Sequence, residues 1–320
     1  MRKMKAWIFG LLLVLLLAGC SEKELYVFPD DGGELILVAH LKQPLLTVID
    51  ADSEDIVGEL ELPFVASDLA MVDGRLILSS VEEEQLYAFD FETQALDAIG
   101  EVGMGVSKLL EVDGALYAAH ATQDRVSKVS VEPFAIEATA ETDEHPQSLA
   151  YGDGNIFAAN VYGHSVQAMD PETLEITASH RIIDRPNGLA YTDGKLLVGG
   201  HGPSGELNRE LVNYSLADRE VTERIDVGLM PIEVLADDDS FYVLNHGSHE
   251  VVALGADLTE RARMSVADNP YYGTLQAGRL YVSSLDGDKV TVIDTERFEK
   301  LSEIPVSSGP HAMVIREAQP

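Results

Sequence analysis

Apolar and polar residues alternate along this chain in short runs, and turn-forming residues punctuate the runs at a nearly fixed interval. A turn followed by a β-type run recurs at Gly33-Glu34-Leu35, Gly74-Arg75-Leu76, Gly114-Ala115-Leu116, Gly154-Asn155-Ile156, Gly194-Lys195-Leu196, Asp239-Ser240-Phe241 and Gly278-Arg279-Leu280, at intervals of 41, 40, 40, 40, 45 and 39 residues. In four of these turns an Asp precedes the Gly, at Asp73, Asp113, Asp153 and Asp193, and both residue types tolerate the positive φ that a tight hairpin turn demands. Each interval has room for four strands of about five residues. One such set is Leu149-Ala150-Tyr151, Ile156 to Ala159, Ser165 to Met169 and Glu175 to Arg181. Beyond the first twenty residues no stretch keeps apolar positions three and four apart over several turns, so helices are not expected.

Seven four-stranded units without helices predict an all-β fold, a seven-bladed β-propeller of antiparallel blades that protects its sheet edges by radial repetition. The ends of the chain fit the same scheme. The first repeat lacks a strand before its turn, and the last is followed by Pro310-His311-Ala312-Met313-Val314-Ile315, which matches Pro270-Tyr271-Tyr272-Gly273-Thr274-Leu275. This C-terminal strand is expected to complete the first blade and close the ring. Closure leaves no edge for pairing with a second chain, so a monomer is the expected state.

The N-terminus reads differently. Arg2, Lys3 and Lys5 precede an almost wholly apolar run from Ala6 to Ala18, shorter than the roughly 20 residues that cross a bilayer as a helix. Leu17-Ala18-Gly19-Cys20 resembles a bacterial lipobox, in which the Cys is acylated and becomes the first residue of the mature protein. The chain then divides into a lipoprotein signal peptide (1–19), the lipidated Cys20 with a flexible spacer (20–33), and the propeller (34–320). Cys20 is the sole Cys, so lipidation removes disulfides, thiolate nucleophiles and Cys-ligated metals from the mature chain. The expected location is the cell envelope, on the extracytoplasmic side, with the membrane as a partner through several acyl chains.

Charge narrows the partners further. With 55 acidic and 22 basic residues the chain carries a formal charge of −33, which repels phosphate backbones and argues against nucleic-acid binding. Acidic runs such as Val81-Glu82-Glu83-Glu84 read as solvated exterior rather than as a calcium site.

The seventh repeat, with Gly278-Arg279-Leu280-Tyr281-Val282-Ser283-Ser284, Lys289 to Thr295, Ile304-Pro305-Val306 and Ser308-Gly309-Pro310-His311, resembles the YVTN propeller repeats and the periplasmic proteins called YncE-like. The resemblance implies a seven-bladed extracytoplasmic propeller and says little about activity. Arg185-Pro186-Asn187-Gly188-Leu189-Ala190 resembles a segment of the SMP-30/gluconolactonase family, which implies a metal-ligand role for Asn187. Streptogramin lyase-like propellers, which use His near the axial mouth, are a further resemblance.

In a propeller, candidate chemistry gathers where the innermost strands begin. Counting seven residues back from each turn gives Ser67, Ser107, Gln147, Asn187, Ile232 and Tyr271, and the closing strand adds His311. The ends of the second strands add His40, Ser80, His120, Asn160, His201, Asn245 with His246, and Ser284. Eight of the nine His fall in these two loop classes, leaving His180 in a fourth strand. The candidate ligand-binding set at the channel mouth is therefore His40, His120, Gln147, Asn160, Asn187, His201, Glu233, His246, Tyr271 and His311. Neutral imidazoles with nearby carboxylates suit a divalent metal; the alternative is that these His hydrogen-bond the next blade. The segment Gly202 to Asn208, which makes the fifth interval longest, lies on the same face as a lid or a tolerated insertion. A binding or scaffold role for a metal, small ligand or protein partner is the first expectation. A hydrolase or lyase, lactonase-like or streptogramin-lyase-like, is the second.

Overall fold

The computed structural model describes residues 32–237 and 239–318. The lipobox and Cys20 lie outside them. The described residues form seven four-stranded antiparallel sheets, the seven-bladed propeller that the periodicity predicts. The turns obey the local chemistry of their residues. Each Asp-Gly pair is left-handed at both positions, with φ of 49° and 75° at Asp73-Gly74 and 50° and 83° at Asp113-Gly114. After the third strands, Asp50, Asp90, Asp170 and Asp294 fold their carboxylates back, and each accepts the amide three residues on at 2.7–2.9 Å. These local bonds stand in for ladder bonds and turn the chain outward to its last strand.

The ring closes through its ends. The strand Pro310–Arg316 pairs antiparallel with Leu35–His40, Leu37 lying opposite Val314 and Val38 opposite Met313. One blade is thus built from both termini.

Packing sits between blades rather than on the axis. Seven buried apolar clusters each join two neighbouring blades. One runs from Leu37 and Val48 across to Leu76 and Leu78, and the last joins Val290 and Val292 of the seventh blade to Ile36, Ile49 and Met313 of the first. Second strands such as Leu35–His40 are buried along their whole length, whereas outer strands such as Ile56–Glu61 are mostly exposed.

Ending the chain at Gly309 would unpair the Leu35–His40 edge and remove Ala312 and Met313 from two interblade clusters. We expect the melting temperature to fall by more than about 10 °C, or the protein to become insoluble. A thermal melt within a few degrees of the full chain would show that closure contributes little.

Candidate functional site

Six of the seven innermost strands begin with a register shift, the exception being Asp68–Val72. Examples lie between Val106 and Lys108, Pro146 and Ser148, Pro231 and Glu233, and Pro270 and Tyr272. Such bulges re-aim side chains. Two consecutive residues therefore border the axial channel: Ser107 with Lys108, Gln147 with Ser148, Ile232 with Glu233, and Tyr271 with Tyr272, together with Asp68, Asn187 and His311. The residues counted from the turns reach the channel as expected, apart from Ser67, whose hydroxyl donates to Val106 O across the blade boundary. The expected pattern missed Asp68 and Lys108, because strict alternation would aim them away from the axis. A usable signal was present, namely ionisable residues inside otherwise apolar strands.

Asp68 and Lys108 form the electrostatic centre of this channel. The Lys108 ammonium lies 3.8 Å from Asp68 Oδ2 and 4.1 Å from the centre of the Tyr272 ring. Asp68 Oδ2 also accepts the Leu109 amide at 2.7 Å. Burial alone would lower the Lys108 pKa, but the Asp68 carboxylate, with Tyr272 and Glu233, raises it; Lys108 is a cation. Burial pushes the Asp68 carboxyl up, against the pull of Lys108 and the Leu109 amide. Glu233 is pushed up to about 7 by burial, with Lys108 opposing. His311 is lowered to about 3 by burial and by the charge of Lys108, and so stays neutral. Two buried atoms bordering the channel have no hydrogen-bond partner among the described residues, Asp68 Oδ1 and His311 Nδ1. The enclosed volume is only about 30 Å³, enough for one or two waters.

Above the channel the space widens to an open pocket of about 380 Å³ that shares Gln147, Asn187 and Tyr271 with it. His145, Tyr162, Arg185, His201, Leu207 and Met230 also border this mouth. The rings of His201, His246, Tyr271 and His311 follow one another downward, with centroid separations of 6.4, 5.7 and 4.7 Å. Burial lowers the pKa of both His201 and His246, disfavouring their charged forms. The Gly202 to Asn208 segment forms part of the mouth's wall through Pro203, Gly205 and Leu207 and is anchored at its Asn208 end. The Asn208 amide donates to His201 O at 2.9 Å, and the Met230 amide donates to Asn208 O at 2.8 Å.

The residue before each innermost strand is left-handed in six blades: Gly105, His145, Arg185, Met230, Asn269 and Gly309, with φ of 80°, 64°, 52°, 56°, 61° and 79°. Gly takes this conformation freely, whereas a side-chain-bearing residue there costs about 1–3 kcal/mol. Three of the four non-Gly cases, His145, Arg185 and Met230, border the mouth.

The remaining candidates lie elsewhere. His40 Nδ1 donates to Ser308 O at 3.2 Å, and its Nε2 accepts from the Thr47 hydroxyl at 2.8 Å. His120 makes the same pair of bonds, to Met104 O at 3.0 Å and from Ser127 at 3.1 Å. Asn160 occupies the equivalent place and donates to Ser165 Oγ and Gln167 Oε1. All three are fully buried and clasp strands together, outside both cavities. His164 and His249 accept the amides of Arg185 and Asn269 from the next blade's turn. Half of the imidazoles expected at the mouth therefore hold blades together. His145 and His201 border the mouth, His246 touches Tyr271, and His311 borders the channel.

Among the described residues no group of three or more His, Cys, Asp or Glu is arranged to hold a metal ion. The Asn187 carboxamide oxygen, the atom a cation would need, already accepts from Ser148 Oγ at 2.7 Å and from the Gly188 amide at 3.0 Å. The ligand role that the SMP-30/gluconolactonase resemblance implies thus finds no supporting set around it.

No family model and no curated protein matches the chain. Among solved structures it is similar to the computationally designed Ika8 protein, with 10% identity over 91% of this chain and 93% of that one and a TM-score of 0.67. It is similar also to apo AztD from Citrobacter koseri, with 12% identity over 88% and 97% of the two chains and a TM-score of 0.61. A third is the dihydro-heme d1 dehydrogenase NirN in complex with DHE, at 11% identity over 90% and 76% and a TM-score of 0.63. At such identities the likeness establishes the fold and nothing finer.

The clasp role of His120 has a pH signature. Its folded pKa is about 4 against 6.5 for a free imidazole, so between those values the unfolded chain binds a proton that the native chain refuses. Stability should fall as pH drops from 6.5 to 4, by on the order of 3 kcal/mol from this residue. His120→Asn, which copies Asn160, should stay folded at pH 7 and lose less on acidification in urea unfolding. Equal acid losses in both proteins would contradict the assignment.

Proposed function

We propose that this chain is a lipid-anchored, extracytoplasmic binding propeller of the YVTN/YncE-like kind that takes a small ligand into the funnel formed by mouth and channel. Leu17-Ala18-Gly19-Cys20 supports the anchor and the cell-envelope location. The observation that carries the binding role is the pair of buried, unpartnered atoms, Asp68 Oδ1 and His311 Nδ1, beneath an open pocket of about 380 Å³. An unsatisfied buried polar atom costs about 1–3 kcal/mol, and the pocket volume lies in the range of small-molecule sites. The mouth mixes apolar side chains such as Val161, Leu207 and Met230 with His145, Arg185 and His201, and the channel beneath it is lined mostly by polar and ionisable groups.

Catalysis by a hydrolase or lyase is a second reading, favoured by Glu233. A carboxyl pushed up to about 7 by burial, in the same channel as Lys108, can carry a proton at neutral pH, which general acid–base chemistry requires. Under this reading Glu233→Gln retains ligand binding and loses turnover.

The binding role is tested with the full chain in thermal shift against carboxylates, amines, alcohols, sugars and the divalent ions of zinc, copper, nickel, manganese and calcium. We expect at least one class to raise the melting temperature by about 2–5 °C at saturating concentration. Gln147→Trp, which fills the junction of mouth and channel, should abolish the rise. The proposal fails if no class stabilises the protein or if the stabilisation persists in Gln147→Trp.

A further inference from the structure

Assuming the funnel binds a small ligand, its mouth carries information about the ligand's class. The protein bears 55 acidic side chains, yet no carboxylate borders this pocket among the described residues; its one permanent charge is Arg185, flanked by His145 and His201. The arginines around the neighbouring loop are all paired: Arg181 with Asp184 at 3.0 Å, Arg209 with Asp226 at 3.2 Å and Arg224 with Glu210 at 2.9 Å. Arg185 differs. It donates through Nη2 to Ser204 Oγ at 2.6 Å, and no carboxylate among the described residues comes within ion-pair distance of it. A guanidinium has five N–H donors in a planar fork, so most of its capacity stays open to a carboxylate.

The backbone strengthens the case. Arg185 sits at the left-handed position where sister blades place Gly105 and Gly309. Keeping Arg, with His145 and Met230 at the matching positions of the flanking blades, sacrifices stability at the mouth's rim. Nineteen described non-glycine residues take this conformation; what distinguishes these three is that the side chains they present share one cavity. The Arg185 backbone is also anchored, since its carbonyl accepts the His201 amide and its own amide donates to His164 Nδ1.

The rest of the mouth fits a flat, apolar body. Tyr162 is 49% exposed and packs its ring against His145 at 4.8 Å, and Leu207, which borders the same pocket from the next blade's loop, is 52% exposed. We infer that the mouth binds an organic anion, a carboxylate held by the Arg185 fork with an aromatic or otherwise planar body lying between Tyr162 and Leu207.

Three compounds of one shape and different charge test this by calorimetry on the full chain: 2-naphthoate, 2-naphthylmethylamine and 2-naphthalenemethanol. The carboxylate should bind at least tenfold more tightly than the other two. Arg185→Gly should weaken it at least tenfold without lowering the ligand-free melting temperature, because Gly relieves the left-handed backbone. Arg209→Ala, which removes a paired arginine nearby, should leave the affinity unchanged. Equal binding of the amine or alcohol, or carboxylate affinity unaltered in Arg185→Gly, overturns the anion assignment and leaves the funnel intact. Absence of binding by these three and by every class in the wider panel overturns the funnel reading and this inference together.

Discussion

Seven innermost strands must converge on one axis, and that convergence governs everything else in this molecule. Because each apolar cluster is shared by two adjacent blades, no cluster remains to fill the middle. The axial space is bordered instead by side chains from strand starts, where bulges bring two consecutive residues of four blades to the axis. A cation placed there needs a counter-charge, since an unpaired buried ion costs several kcal/mol. Asp68 of the second blade supplies it to Lys108 of the third. The ion pair therefore ties two blades across their boundary while leaving one carboxylate oxygen, Oδ1, without a partner.

Polar groups on this face divide into two mechanical classes. One class closes the structure: His40 and His120 bond neighbouring strands through both ring nitrogens, Asn160 does so through its amide nitrogen, and His164 and His249 receive turn amides. The other class keeps capacity in reserve. Arg185, Glu233 and His311 are held in place by the scaffold without being consumed by it, the general requirement for a preorganised binding site. Strain at His145, Arg185 and Met230 belongs to the same pattern, local instability carried by a ring whose stability comes from seven interblade clusters.

Much of this was legible in the order of residues. The spacing of Gly74, Gly114, Gly154 and Gly194 predicted blade number and hairpin type, and the match of Pro310 to Ile315 with Pro270 to Leu275 predicted closure. Counting back from the turns placed Gln147, Asn187, Tyr271 and His311 on the axis, where they lie. The failures share one physical cause, that periodicity says which face a residue is on but not what it touches. His40 and His120 stand at the right height yet point into the seam between strands. Lys108 was overlooked because a bulge breaks the two-residue period that sequence reasoning assumes, and Asp68 because the count from the turn falls on its neighbour Ser67. The left-handed backbone of Arg185 carries no sequence mark apart from its alignment with Gly105 and Gly309.

A narrow channel crowds the ionisable groups Asp68, Lys108, Glu233 and His311 together with little room for water, and Glu233 reports on it directly. Carbon-13 NMR of glutamate side-chain carboxyls between pH 5 and 9, with Glu233→Gln for assignment, should find one carboxyl titrating at about 7 that vanishes in the variant. A Glu233 midpoint at the ordinary 4.5 would mean that water fills the axis freely, and the channel described here would not exist in solution.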